Sequence, residues 1–363
     1  MAACSLAALL PVGCTRGSAL RLGYVAELSE AAADAARTSR NGALLAVEDW
    51  RNSPALQGRP VELLVRDLGA TAADAQRAVD ELVGEGASAL IGAITSAGTL
   101  RLVAAAAPHG LIVVSPTATS MELHGRDDLL FRINGTTRDN GEAYARRCVQ
   151  VHGWKRVAMA VTLQNRVFSG SWASEFEAAL RREGGTVVRS VDFDVATGSS
   201  EAAVRSLLEG PAVQALVLVG NALDVAKLMQ WLRRVDSQLP VMAAEWAASE
   251  QLIELGGRAV EGVEASQQYD RHDTSPRYTA FRDTYQQRFK EPPGYASVAG
   301  YDAAMVLLAA ITGSKGSMAI KDALRKLGPF QGLQQEIAFD VNGDTTRRAH
   351  FMTVRDGTFA RVR

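Results

Sequence analysis

The chain has 363 residues, of which 47% are hydrophobic and 22% charged, and a formal net charge of −1. That length exceeds one ordinary core and points to two domains. The composition argues against disorder, and the balanced charge argues against a nucleic-acid binder or a protein held electrostatically on an anionic membrane.

The first residues, "MAACSLAALLPVGC", are apolar and small, and polarity rises abruptly at "TRGS". This pattern is similar to the end of an export signal. It also resembles a bacterial lipoprotein signal, in which a small residue precedes an acylated cysteine, as Gly13 precedes Cys14. Pro11 and the lack of a preceding Lys or Arg depart from that pattern, and a plain signal peptide is the alternative. Residues 1–18 are thus expected to be a leader and tether. The body is expected to be periplasmic or otherwise extracytoplasmic, meeting the membrane only through a lipid on Cys14. Elsewhere no stretch approaches the ~18–20 uninterrupted apolar residues of a membrane helix.

From Leu20 onward strands and helices alternate. Residues 20–26 read as a strand and 39–52 as a helix, with Leu44, Val47 and Trp50 at helical spacing and Pro54 beyond. A strand at 61–67 precedes a helix at 71–86, with Thr71 as cap and Asp74 at the capping-box position. Strand 88–92, helix 97–107 and strands 110–116 and 128–134 complete a first unit. The rhythm restarts with helix 144–153, strand 155–162, helix 170–185 and strand 186–193. Helices at 199–209 and 222–235 then separate strands 212–220 and 239–245. This is the pattern of parallel sheets with helices on both faces, repeated twice. Beyond a strand at 260–266 come helices at 276–290, 295–313 and near 318–327. A hairpin-like tail follows, with turn signals at Asn342-Gly343 and Asp356-Gly357. The tail is too small for a domain and must complete the two units.

Several motifs fail. "GEGASA" at 84–89 spells a dinucleotide-like string, but it runs from helix to strand, opposite to a nucleotide turn. There is no phosphate loop and no G-x-S-x-G. The five histidines are scattered, and the three cysteines (Cys4, Cys14, Cys148) form no CxxC, so metal and redox chemistry lack support. Cys148, in a helical pattern, reads as a small apolar residue. Asn134-Gly135-Thr136 matches a glycosylation string and reads as a plain turn. No catalytic constellation and no cofactor are expected.

In doubly wound sheets, ligands sit beyond the carboxyl ends of strands. "AITSAGT" follows the strand 88–92, and "SPTATS" follows the next. Ser96 is placed to cap a helix beginning near Ala97, whose free N–H groups and partial positive charge favour a carboxylate. A purely capping role for Ser96 is the alternative. Ser115 reads as structural, since Pro116 enforces an extended turn. Glu245 ends the strand 239–245, where burial costs energy unless the charge is paired. A ligand ammonium would pair it; a solvated loop position or an internal arginine are the alternatives. Trp246 offers apolar surface beside it, Phe168 lies past another strand end, and Asn221 follows the strand 212–220. One unit thus supplies hydroxyls and N–H groups, and the other a carboxylate and aromatics, a pairing suited to a zwitterion.

"NGALLAVEDWRNSPALQGRPVELLVRD", "ALIGAITSAGT", "GLIVVSPTATSMEL", "ASVAGYDAAMVL" and "FQGLQQEIAFDVNGD" occur in that order over nearly the whole chain from Leu20. With these segments the sequence resembles the type I periplasmic binding proteins, specifically the branched-chain amino acid (leucine/isoleucine/valine) binding family of ABC importers. The resemblance implies two α/β lobes joined by three crossings and clamping a ligand by hinge closure. Lobe one would comprise 19–134 plus 268–349, and lobe two 135–267 plus 350–363. It implies that Ser96 and Thr119 hold the ligand carboxylate. A carbonyl at Thr117 would face the ammonium with Glu245, and Phe168 would stand where a pocket tyrosine is usual. Three departures follow. The family's first-lobe aromatic falls at or near Ala35, a second-lobe aromatic falls at Asn221, and the disulfide of some members has no cysteines here. Arg166 or Asn221 is then placed to reach a polar ligand side chain. The implied protein is a non-enzymatic, monomeric solute-binding lipoprotein serving an ABC permease. The alternative is a sensory or envelope-enzyme-regulating lipoprotein of the same fold, such as an amide or aromatic-acid receptor.

Overall fold

The computed structural model describes residues 19–362 apart from 29–31, 52, 57, 236 and 237. The expected leader and Cys14 lie outside the described residues.

The first part of the chain runs β1 (Leu20–Ala26), α1 (Ala33–Trp50), β2 (Val61–Asp67), α2 (Ala72–Gly84), β3 (Ala87–Gly92), α3 (Ser96–Ala106), β4 (Val113–Ser115) and β5 (Leu130–Arg132). Its strands form one parallel sheet in the order β2-β1-β3-β4-β5. Along β1 and β3, Leu22, Tyr24 and Ile91 face one core, while Val25 and Leu90 face another. Strands buried on both faces are uniformly apolar, which is why they read clearly in the sequence.

The second part runs α4 (Thr137–Arg146), β6 (Arg156–Thr162), α5 (Arg166–Arg182), β7 (Thr186–Phe193), α6 (Ser200–Leu208), β8 (Ala215–Val219), α7 (Ala222–Val235), β9 (Val241–Ala243), α8 (Glu250–Gly256) and β10 (Glu264–Gln267). The chain then returns to the first lobe through α9 (Pro276–Phe289), α10 (Tyr295–Gly313) and α11 (Ile320–Lys326), whose apolar residues join the core around Leu22 and Tyr24. The short strands β11 (Phe330–Gln331) and β12 (Glu336–Ile337) pair with each other. Finally β13 (His350–Arg355) and β14 (Thr358–Arg361) add an antiparallel edge to the second sheet, ordered β14-β13-β10-β9-β8-β6-β7. The result is two doubly wound lobes linked by three chain crossings.

α1 and α10 cross in close contact. A Cβ on Gly42 would lie 1.9 Å from the Ser297 carbonyl oxygen, and one on Gly300 would lie 2.1 Å from that of Ser39. α10 is the one described helix long and apolar enough to span a membrane, and it is mostly buried in the core. Two buried ion pairs brace the third crossing. Arg132 Nε donates to Asp344 at 2.8 Å, and Arg347 Nη2 donates to Asp302 at 3.1 Å.

Several expected boundaries move. α1 begins at Ala33 rather than 39, because in the added turn only Ala36 is buried, a small side chain that carries little periodic signal. α4 begins at Thr137 rather than 144. Thr136 and Asp139 form a capping box, the same Thr-x-x-Asp signature that marks Thr71 and Asp74 at α2. α5 begins at Arg166 rather than 170. The tail is only half a hairpin. Asp356 and Gly357, both at positive φ (51° and 67°), turn β13 into β14. Asn342-Gly343 joins no strands; instead the Gly343 carbonyl accepts a hydrogen bond from the Arg132 N–H.

Candidate functional site between the lobes

On the first lobe, the turn after β3 is held from below by Glu27, a fully buried carboxylate that accepts from the Ile94 N–H at 3.1 Å and the Thr95 hydroxyl at 2.5 Å. Thr95, not Ser96, caps α3, its Oγ1 accepting from the Gly98 N–H at 2.9 Å. Ser96 is the first helical residue, and its Oγ accepts from the Ser120 N–H at 3.3 Å. Ser115 is structural, donating to the Ala93 carbonyl and accepting from the Ala118 N–H. Thr117 Oγ1 donates to the Ile94 carbonyl at 2.6 Å. Thr119 is 3% exposed, and its Oγ1 has no hydrogen-bond partner. A buried hydroxyl without a partner carries an uncompensated desolvation cost, so this atom is open to a ligand.

On the second lobe, Glu245 lies two residues past β9 in a short 3-10 turn, Glu245–Ala247. Gln267 Nε2 fixes that turn by donating to the Glu245 and Ala248 carbonyls at 2.9 and 2.8 Å. The Glu245 carboxylate accepts from Asn140 Nδ2 at 2.7 Å and Trp172 Nε1 at 2.8 Å. Among the described residues no lysine or arginine forms an ion pair with it, so the internal arginine does not apply, and the residue is half-buried. Burial pushes its carboxyl up from 4.5 to about 7, against the pull of its own backbone N–H, Trp172 and Asn140. Trp246 meets Phe168 edge to face at 5.6 Å.

Ser96, Thr117 and Thr119 from one lobe and Phe168, Glu245 and Trp246 from the other line a single cavity of about 40 Å³. Asn221 is not among them. Its Oδ1 caps α7, accepting from the Asp224 N–H at 2.8 Å, and the residue lines a larger neighbouring cavity together with Ala35. Nor does Arg166 reach the ligand space, because its guanidinium pairs with Asp192 at 2.9 Å. Asn134, Asn165, Gln267, Gln268 and Tyr295, which were not expected from the sequence, also line the small cavity. Gln267 and Gln268 follow from the strand-end rule once β10 is extended to 267, and Asn140 follows once the Thr136 cap is recognised. Chemically, one wall offers hydroxyls and a helix start, and the other a carboxylate without an ion pair among the described residues. Among the described residues no group of three or more His, Cys, Asp or Glu is placed to hold a metal ion.

A family model described as "Periplasmic binding protein" matches residues 19–358. The chain belongs to that family. Its members are solute-binding proteins of ABC importers rather than enzymes. Among curated relatives of this periplasmic binding protein is the leucine-, isoleucine-, valine-, threonine- and alanine-binding protein of Pseudomonas aeruginosa. It is 21% identical over 308 residues, covering 84% of this chain and 81% of the relative. Among solved structures, LivJ of Streptococcus pneumoniae in complex with isoleucine superposes with a TM-score of 0.85 at 23% identity, covering 94% of this chain and 97% of that one. A solute-binding protein of R. palustris in complex with benzoate has a TM-score of 0.82 at 18% identity, covering 95% of each chain. At these identities the two structures establish the shared fold.

Proposed function

We propose that this chain is the extracytoplasmic binding component of an ABC importer and that it clamps an amino acid or close analogue between its lobes. Ser96, Thr119 and the start of α3 take the α-carboxylate. Glu245 and the Thr117 carbonyl take the ammonium, and Phe168 and Trp246 pack the remainder. Lobe one spans 19–134 plus 268–349, and lobe two spans 135–267 plus 350–363. The protein works as a monomer, anchored through Cys14, and delivers its ligand to a permease.

The observation that carries this reading is the placing of an unpartnered Thr119 hydroxyl and a Glu245 carboxylate, without an ion pair among the described residues, on one cavity. Neither lobe alone satisfies both poles of a zwitterion, so the ligand favours the closed form through differential affinity. An aromatic acid such as benzoate suits the Phe168–Trp246 pair but leaves Glu245 without a positive partner, which favours the amino acid. A thermal-shift screen tests this directly, because a ligand of the folded state raises the melting midpoint. Amino acids are expected to raise it, and Glu245→Gln to weaken that effect by roughly 1.5–3 kcal/mol of binding energy. Stabilisation by benzoate alone, unaffected by Glu245→Gln, sinks the proposal.

A further inference from the structure

The cavity shared by Thr119 and Glu245 holds about 40 Å³, room for about three waters. Trp246 and Tyr295 line it, and they also line the neighbouring cavity of about 250 Å³. Resting on the amino-acid reading above, we propose that the ligand's side chain passes these two rings and ends in a cationic group within the outer cavity.

Room in the inner cavity is short. The inner cavity accommodates the carboxylate and ammonium groups, so a longer side chain has to leave it. Ala35 lines the outer space with a side chain no larger than a methyl group, which leaves it open.

The wall of the outer cavity is acidic. Asp34 and Glu291 face the outer cavity from the first lobe, and Glu250 and Glu254 from the second. Its one lining guanidinium, Arg37, is already held by Asp34 at 2.8 Å and Glu291 at 2.6 Å. Arg271 pairs with Glu250. Glu254 is exposed and has no ion pair among the described residues. Four lining carboxylates against one lining guanidinium leave a formal charge of −3, or −2 with Arg271 included. A branched aliphatic side chain would strip water from these carboxylates and return nothing.

Closure of the cleft adds to this. The carboxylates come from opposite lobes, so shutting the cleft brings like charges onto one space. A cation between them offsets that repulsion in the closed form alone, which is how a ligand drives closure. The acidic wall does not stand by itself: Thr119, 3% exposed with an unpartnered hydroxyl, anchors the other end of the same ligand in the adjoining cavity.

Calorimetry on the full chain with arginine, lysine, alanine and leucine tests the inference. Arginine or lysine is expected to bind at least tenfold tighter than leucine, by a margin that shrinks with added salt. Glu254→Gln should erode arginine's advantage over alanine at least threefold, and Ala35→Tyr, by filling the outer cavity, should remove it. Leucine binding as tightly as arginine or lysine, in a manner that still depends on Glu245, overturns this inference and leaves the amino-acid reading standing. Failure of all four amino acids overturns both.

Discussion

Asn165 of the second lobe reaches the start of α3 in the first, its Oδ1 accepting a hydrogen bond from the Ala97 N–H at 3.1 Å. Two further bonds join the same surfaces: the Ser120 hydroxyl donates to the Val167 carbonyl at 2.8 Å, and Ser171 Oγ accepts from the Met121 N–H at 3.0 Å. All three require the lobes to meet, so they belong to the closed form. Asn165 holds a left-handed backbone (φ 48°), which glycine adopts without strain. Asn165→Gly therefore removes the bond and preserves the turn. Ligand affinity is expected to fall by about 0.5–1.5 kcal/mol, the worth of one neutral hydrogen bond. Dissociation should quicken, and small-angle scattering should show the unliganded protein more extended. Unchanged scattering and dissociation would mean that the contact does not govern closure.

Glu245 makes ligand binding pH-dependent. Its carboxyl titrates at about 7, raised by burial, and only the ionised form pairs with an ammonium. Below pH 7 binding must release a proton, so affinity is expected to rise up to about tenfold per pH unit between pH 5 and 7, then level off. The stability of the unliganded protein is expected to follow the opposite trend. A raised folded-state pKa adds stability at low pH that is lost as the pH climbs from 4.5 through 7, by at most about 1.4 kcal/mol per unit. Calorimetry in buffers of different ionisation enthalpy counts the released proton. Glu245→Gln should flatten both profiles, and a wild-type protein that releases no proton at pH 6 contradicts the assignment.

Thr119 separates a ligand contact from a packing role by sign. Thr119→Val keeps the shape of the side chain and removes the unpartnered hydroxyl. Freed of a buried polar atom, the unliganded variant is expected to melt at or above the wild type, since such an atom costs roughly 1–3 kcal/mol. Ligand affinity should fall by roughly 1.5–3 kcal/mol, as for a lost bond to a charged group. A fall in both stability and affinity would mark Thr119 as merely structural.

The central strands were legible because they are buried on both faces: "LRLGYVA" and "ALVLVG" carry no competing polar period. Glu245 and Ser96 were legible for a topological reason, since strand ends in doubly wound folds point at the cleft. What escaped depends on contacts distant in sequence. Asn140 becomes a partner of Glu245 only because α4 starts at Thr137 and lies beside the turn after β9. Thr95 and Ser96 are equally good capping residues in sequence, and only the backbone angles decide that Thr95 is the cap. Arg166 had the charge and the position for a ligand, but Asp192 at the end of the neighbouring strand claims it.

A buried charge pair, Arg347 with Asp302, lies just before the third chain crossing. Asp302 is fully buried and Arg347 nearly so, yet Arg347 Nε and Nη1 have no hydrogen-bond partners. Such a pair adds little beyond a well-packed apolar core, but breaking it strands the remaining charge. Arg347→Met is expected to destabilise the protein by about 3–5 kcal/mol in chemical denaturation. Burial already raises the Asp302 carboxyl, and the arginine is the group that opposes it most. Without Arg347 the carboxyl rises further, adding stability at low pH that is lost as pH rises, so the gap to wild type should narrow on acidification. Asp302→Asn added to Arg347→Met should recover much of the loss at neutral pH, because an amide oxygen still accepts from the Leu333 N–H, bonded at 2.8 Å in the native protein. A single variant that loses less than about 1 kcal/mol would show that water reaches this site and that the crossing is held by other contacts.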